Sequence, residues 1–280
     1  MLMQFLRKLW EHELKMVWRF ERNGRTSFTV GTAHFSPYSF RTSLSRLLEH
    51  AQVALFEGPL DEGSMERVRK AGVGSGNSQE LLAQLDDRTI RRIADVLAPE
   101  ASQRRSDIGL QFFTLAPRDT VCSAMKDMKP WMAFFALYSG FLRKNGWRSS
   151  VDLEAYHIAQ EMDKPIVFLE TIDEQVQFLE SLSQEKIVDF ISRIDQWDSY
   201  AQRFLKWYLA GDVDKIFSNP YGFPTRDPGL IGRRDTILFE RMLGHMEGGD
   251  AVAFVGVPHL ARLRSMFAAV GFEVSKAVPP

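Results

Sequence analysis

The chain has 280 residues, of which 45% are apolar and 25% charged, with a formal net charge of −1. That length buries a real core as one large domain or two small ones, and so even a charge balance removes the basic footprint that nucleic acid or an acidic membrane surface would require. The single cysteine, Cys122, excludes an internal disulfide and a cysteine-built zinc cluster.

Residues 1–15 (MLMQFLRKLWEHELK) are amphipathic, with Leu2, Phe5, Leu6, Leu9 and Trp10 on one helical face. Arg7 and Lys8 interrupt the apolar stretch and no small-residue cleavage site comes after it, unlike a signal peptide. No apolar run reaches the roughly 18 residues that span a bilayer. The expectation is a cytoplasmic protein with no membrane span, its N-terminal face docked on the body or on a second copy of the chain in a homo-oligomer.

Val17 to Arg22 and Arg25 to Val30 flank Asn23-Gly24, the strongest short signal for a hairpin, because a type I′ turn needs positive φ at both central residues. Gly31 is expected to break the second strand. Ser39 to His50 reads as helix with Leu44, Leu47 and Leu48 on one face, and Val53 to Phe56 as a short buried strand stopped by Glu57, Gly58 and Pro59. Gly72 to Gly76 reads as loop, Ser78 to Leu97 as helix in two pieces around Asp86-Asp87, and 98–129 is weakly patterned. A buried helix opens at Pro130 and ends at Asn145-Gly146. Next come a helix over Ser149 to Asp163, a strand over Ile166 to Leu169, and helices over 172–217. Trp197, Tyr200, Phe204, Trp207 and Tyr208 in those helices stand at core-packing spacing. Asn219 to Pro228 is loop by composition. A helix over Leu230 to Met246, a strand over Ala251 to Val255, a helix over Leu260 to Val270 and a strand over Phe272 to Val274 complete the chain. Strands alternating with helices at both ends predict an α/β fold, a central mixed sheet flanked by helices. It reads as a single domain over 1–280 with a helical insertion or cap at about 60–150.

FTVGTAHF and AFVGVPHL share one order: strand, glycine, two residues, histidine, helix, strand. This weak repeat suggests two similar halves whose GxxH segments face one another. A glycine allows a sharp turn at the strand end, and ligands in open α/β sheets sit beyond the carboxyl ends of strands. A histidine at a helix N-terminus is disfavoured as imidazolium, which suits a metal ligand or general base. A lone strand-end histidine is more often a packing residue; the matched contexts of His34 and His259 are what favour a site. His12, His50, His157 and His245 carry no such context.

Glu57 comes directly after the apolar strand VALF and should emerge at the same sheet edge as His34. Glu170 repeats the arrangement after IVFL, although Thr171 and Glu174 form a capping box that gives the segment a structural role. Asp152 fits a cap pattern with Ser149. Arg233-Arg234-Asp235 opens a long helix, where arginines oppose the macrodipole; a site carboxylate, a substrate anion or a surface ion pair would hold them. No HExxH pair, phosphate-binding glycine loop or GxSxG elbow is present.

Taken in order, VGTAHFSP (30–37), LFEGP (55–59), KPW (129–131), SVDLEAYHIAQEMDKPIVFLET (150–171), GRRD (232–235), VGVPHL (255–260) and GFEV (271–274) resemble the TraB/PrgY/GumN family, which includes the Tiki proteases. The middle, 60–128, carries no resemblance, and the chain has Arg234-Asp235 where the family often has Arg-Asn. The resemblance implies an α/β fold of two related halves, similar to erythromycin esterase and ChaN-like proteins. It implies a metal-dependent peptidase activity as in Tiki proteins, with His34, His259 and Glu57 carried over as site residues and Glu170, Asp152 and Arg234 as recurrent positions. On that basis His34, His259 and Glu57 hold a divalent metal (Zn, Mn or Co), with Glu57 as third ligand or as base. Arg234 and Glu170 then support catalysis on a peptide or small-molecule substrate, Arg234 by stabilising an oxyanion or by holding Glu170. Tiki proteins are membrane-anchored, so their substrates do not transfer. Two alternatives stay open: a metal-free hydrolase with histidine as general base, and a non-enzymatic protein that binds a small ligand or haem through the same histidines.

Overall fold

The computed structural model describes residues 11–74, 78–97 and 117–279. Its elements in chain order are strands β1 (Val17–Arg22) and β2 (Arg25–Thr32), helix α1 (Arg41–Glu49), strand β3 (Val53–Phe56), helices α2 (Glu62–Gly72), α3 (Ser78–Ala83), α4 (Asp87–Leu97), α5 (Pro117–Ala124), α6 (Pro130–Lys144) and α7 (Val151–Glu161), strand β4 (Ile166–Phe168), helices α8 (Ile172–Glu180), α9 (Gln184–Ser192), α10 (Trp197–Ala210), α11 (Val213–Ser218) and α12 (Pro228–Gly248), strand β5 (Ala251–Gly256), helix α13 (Val257–Ala269) and strand β6 (Glu273–Lys276). The expected N-terminal apolar face and most of the weakly patterned stretch before Pro117 lie outside the described residues.

The fold is α/β, built on one mixed six-stranded sheet of order β4-β3-β5-β2-β1-β6. Asn23 and Gly24 take φ of 54° and 75° and close the β1–β2 hairpin in register Arg22 to Arg25, as the turn chemistry requires. Strands β2, β5, β3 and β4 are mutually parallel, and β1 runs antiparallel between β2 and β6. Strand β5, late in the chain, is thus inserted between β2 and β3. Both β2–α1–β3 and β5–α13–β6 join strands running the same way, but they leave in opposite directions across the sheet. Their end strands also differ: β3 is interior, whereas β6 is an edge.

The sheet is covered on both faces. On one, Phe254 and Phe56 stack with centroids 4.9 Å apart, and Phe56 meets Tyr156 of α7 edge-on at 5.6 Å; such pairs add about 0.5–1.5 kcal/mol beyond area burial. On the other, Ser27 Oγ donates to the Met246 carbonyl of α12 at 3.2 Å, and Gly31 lies under Leu260 and Val257 of α13. A second apolar cluster, formed by α3 to α6, α9 and α10, centres on Phe134, Tyr138, Phe190 and Trp197. Phe204 of α10 packs against both clusters, and Phe35, just past β2, packs into the helical one. The helical layer therefore reaches the end of the sheet where β2 stops.

Several boundaries differ from expectation. Strand β2 continues through Gly31 to Thr32, because a parallel partner, β5, pairs with it there. Helix α2 is a mostly exposed helix with Gly72 its one fully buried residue, so it has little apolar periodicity to read; Asp61 caps it by accepting from the Ser64 N–H at 2.9 Å. Strand β4 is an edge strand, with Phe168 37% exposed. Among the described residues no helix is long and apolar enough to cross a membrane.

Candidate functional site

Strands β4, β3, β5 and β2 lie side by side, parallel, and end at one edge of the sheet. Register alone brings together the residues just past each strand: Glu170 after β4, Glu57 after β3, His259 after β5 and His34 after β2. Thr32 stands opposite Gly256, and Phe56 opposite Phe254. Backbone pairing continues past the strand ends. The Glu57 N–H donates to the Phe254 carbonyl at 3.0 Å, and the Glu170 N–H donates to the Glu57 carbonyl at 2.8 Å.

Arg234 ties the two glutamates together. Its Nε and Nη2 donate to the two oxygens of Glu170 at 2.8 and 2.6 Å, and Nη2 also donates to Glu57 Oε1. The fork on Glu170 is the strong bidentate arrangement of arginine and carboxylate. The guanidinium lies over the Phe178 ring, 4.3 Å from its centroid. The expectation that Arg234 opens its helix is corrected: α12 begins at Pro228, capped by Asp227, and Arg234 lies two turns inside. Site carboxylates hold it. Glu170 does this while Thr171 and Glu174 form the capping box of α8, so the structural role of the segment and the contact with Arg234 coexist.

The second oxygen of Glu57, Oε2, accepts from the Gly256 N–H at 2.6 Å. Burial alone would raise the Glu57 pKa; Arg234, His259, His34 and the Gly256 N–H outweigh it and hold the carboxyl ionised, well below the usual carboxylate range. Gly256 explains itself here. A Cβ on it would stand 3.1 Å from Glu57 Oε2, so glycine admits the carboxylate to the backbone. Gly31 has the same use against α13, where a Cβ would meet Met16 and Leu260 at 2.8 and 2.9 Å. Neither glycine has positive φ. Close approach, and not a sharp turn, is what the glycines of the two GxxH segments provide.

Each histidine has its own aspartate. His34 Nδ1 lies 2.8 Å from Asp152 Oδ2, and His259 Nδ1 lies 2.7 Å from Asp235 Oδ1. An ionised carboxylate only accepts, so each Nδ1 carries a proton, and whenever the ring is neutral the lone pair is on Nε2. The two pairs differ in setting. His259 and Asp235 are buried, at 4% and 0% exposed. The His34 side chain is 70% exposed, although protein surrounds it closely enough for burial to oppose its charge. The Asp152 carboxylate overcomes that and, with Glu57 adding, raises the His34 pKa to about 9. This corrects the expectation that a helix start keeps both histidines neutral. His34 sits on a loop, since α1 begins only at Arg41, and the carboxylate beside it decides its charge. His259 does lie in the first turn of α13.

Asp152 is freed for this contact because Ser150, and not Ser149, caps α7, accepting from the Leu153 N–H at 3.3 Å. Sequence reasoning misses Asp235 as a site residue. Its signal is spacing: Ile231, Asp235, Leu238 and Met242 are buried positions of α12, so a carboxylate interrupts an apolar stripe at helical period.

The site thus gathers four carboxylates and one guanidinium around two imidazoles, a balance that favours a cation. His259 Nε2 lies 3.9 Å from Glu57 Oε1. With side chains as they stand, no three of the described His, Cys, Asp and Glu groups are close enough together to hold one metal ion. No curated protein matches the sequence at a significant level. The family model described as TraB/PrgY/gumN matches residues 16–276, a span that contains both GxxH segments, Glu57, Asp152, Glu170, Arg234 and Asp235, and the chain belongs to that family.

Proposed function

We propose that the chain is a metal-dependent hydrolase of peptidase type, in which His34, His259 and Glu57 hold a divalent ion. The supporting observation is that two Nδ1-anchored imidazoles and a carboxylate held ionised follow neighbouring parallel strands at one sheet edge. Nitrogen and oxygen donors without sulfur suit Zn, Mn or Co. The 3.9 Å between His259 Nε2 and Glu57 Oε1 is no wider than two ligand bonds of about 2.0–2.2 Å laid end to end. When bound, such an ion supplies Lewis-acid polarisation of a carbonyl and activation of water.

The chain's own groups then divide the work. Glu57 is held ionised by Arg234 and the Gly256 N–H, and a carboxylate with so little affinity for protons acts better as an anionic ligand than as a proton store. Arg234 engages its Nε and Nη2 hydrogens on Glu57 and Glu170, which favours holding these carboxylates over binding a substrate oxyanion; Glu170 anchors it. The metal-free alternative, with a histidine as general base on water, predicts cleavage that survives chelation. Haem ligation through His259 is disfavoured because Glu57 stands before its Nε2 where a flat macrocycle would lie.

The test is metal content of the purified chain by plasma mass spectrometry, with cleavage of a peptide library before and after chelation. Bound metal and chelator-sensitive cleavage, both lost in His34→Ala and His259→Ala, are the expected results. Full cleavage in chelator with both variants active would end the proposal.

A further inference from the structure

We infer that Asp235 is the positioning residue that sets the tautomer of His259 and thereby presents its bare Nε2 to the site; the assignment rests on the reading of His259 as a metal ligand. Asp235 is fully buried on α12 and bonds His259 Nδ1 at 2.7 Å through Oδ1. Its other oxygen, Oδ2, is buried without a hydrogen-bond partner among the described residues. The nearest cation is Arg262, whose Nε stands 3.6 Å away, too far for a good bond. A half-satisfied carboxylate in an apolar stripe is a stability loss that a leucine there would avoid, so its presence points to a task. The task is set by proton chemistry. A carboxylate offers no donor, so Nδ1 must carry a hydrogen and the neutral ring is bare at Nε2, the nitrogen that faces Glu57 at 3.9 Å.

Asp235→Asn separates charge from shape. The amide oxygen turns toward Arg262 and the amide NH2 toward His259, which makes Nδ1 the acceptor and moves the ring proton onto Nε2, the wrong-tautomer effect known for histidine–asparagine replacements. The experiment is side-chain 15N NMR of the full chain in chelator, with His259 assigned by its loss in His259→Gln. The wild-type chain should show His259 protonated at Nδ1, and Asp235→Asn should show it protonated at Nε2. A wild-type ring protonated at Nε2, or the same tautomer in both proteins, overturns the assignment. The wild-type spectrum decides by itself if the variant does not fold. A second arm titrates Zn2+ calorimetrically: loss of this partner should weaken binding about 10–100-fold, and equal affinity overturns the role. If the wild-type chain binds no metal while the tautomer result holds, the metal reading fails and the positioning by Asp235 stands.

Discussion

His259 Nε2 and Glu57 Oε1 face each other across 3.9 Å, although they come from opposite ends of the chain. The contact exists because β5 is inserted between β3 and β2, so that the end of β5 stands beside the end of β3. Arg234 and the Gly256 N–H then fix the orientation of the Glu57 carboxylate.

Arg234 is the shared counterion of the buried Glu170 and the partly buried Glu57. Arg234→Met should strand both and destabilise the protein by about 3–5 kcal/mol, the range for removing one partner of a buried ion pair. Glu57→Gln, which leaves Arg234 forked on Glu170, should be much milder in urea denaturation while abolishing metal uptake. Equal stability losses in the two variants would contradict this division.

The glycines of the two GxxH segments make separable predictions. In Gly256→Ala the new methyl stands 3.1 Å from Glu57 Oε2 and should push the carboxylate off its position, lowering the rate of peptide cleavage with little change in stability. In Gly31→Ala the methyl meets Met16 and Leu260 under 3 Å, an overpacking that should cost about 1–3 kcal/mol, read as a lower denaturation midpoint. Gly256→Ala with unchanged peptide cleavage would count against the placement of Glu57.

Stability should depend on pH through two groups acting in opposite directions. The His34 pKa is raised to about 9, so its contribution is complete below the unfolded value near 6.5 and disappears as pH rises through about 9. Glu57 is depressed, so its contribution is present above the unfolded value near 4.5 and disappears as pH falls. Urea midpoints measured in chelator should therefore decline on both sides of neutrality. Asp152→Asn should flatten the alkaline limb and leave the acid limb, because Asp152 is the main cause of the His34 shift.

The Tyr208 hydroxyl donates to the Gly31 carbonyl at 2.8 Å from a fully buried ring. Tyr208→Phe leaves that carbonyl without this donor and should cost about 1–3 kcal/mol, visible as a lower midpoint of thermal unfolding. An unchanged midpoint would show that the bond adds nothing.

Much of the framework is legible locally. The Asn23-Gly24 hairpin, the short buried run at Val53 to Phe56 and the helix from Pro130 are set by turn chemistry and period, which need only neighbours in sequence. The carboxylates Glu57 and Glu170 are readable as charges ending apolar strands. Asp235 escapes a sequence reading because a helical charge beside two arginines looks like surface, and only burial distinguishes it. The charge state of His34 escapes it for a related reason. Its nearest carboxylate, Asp152, is remote in sequence, and a Coulomb contact at 2.8 Å outweighs any field from a helix that starts seven residues later.

By itself the sequence determined that strands end in glycine, histidine and glutamate at several places along the chain, since strand propensity and punctuation are local properties. Only the tertiary structure decided that these ends converge, which aspartate serves which histidine, and that one arginine joins two glutamates. Strand order is selected by the burial of whole faces between distant segments, and no short-range pattern encodes which strand lies beside which.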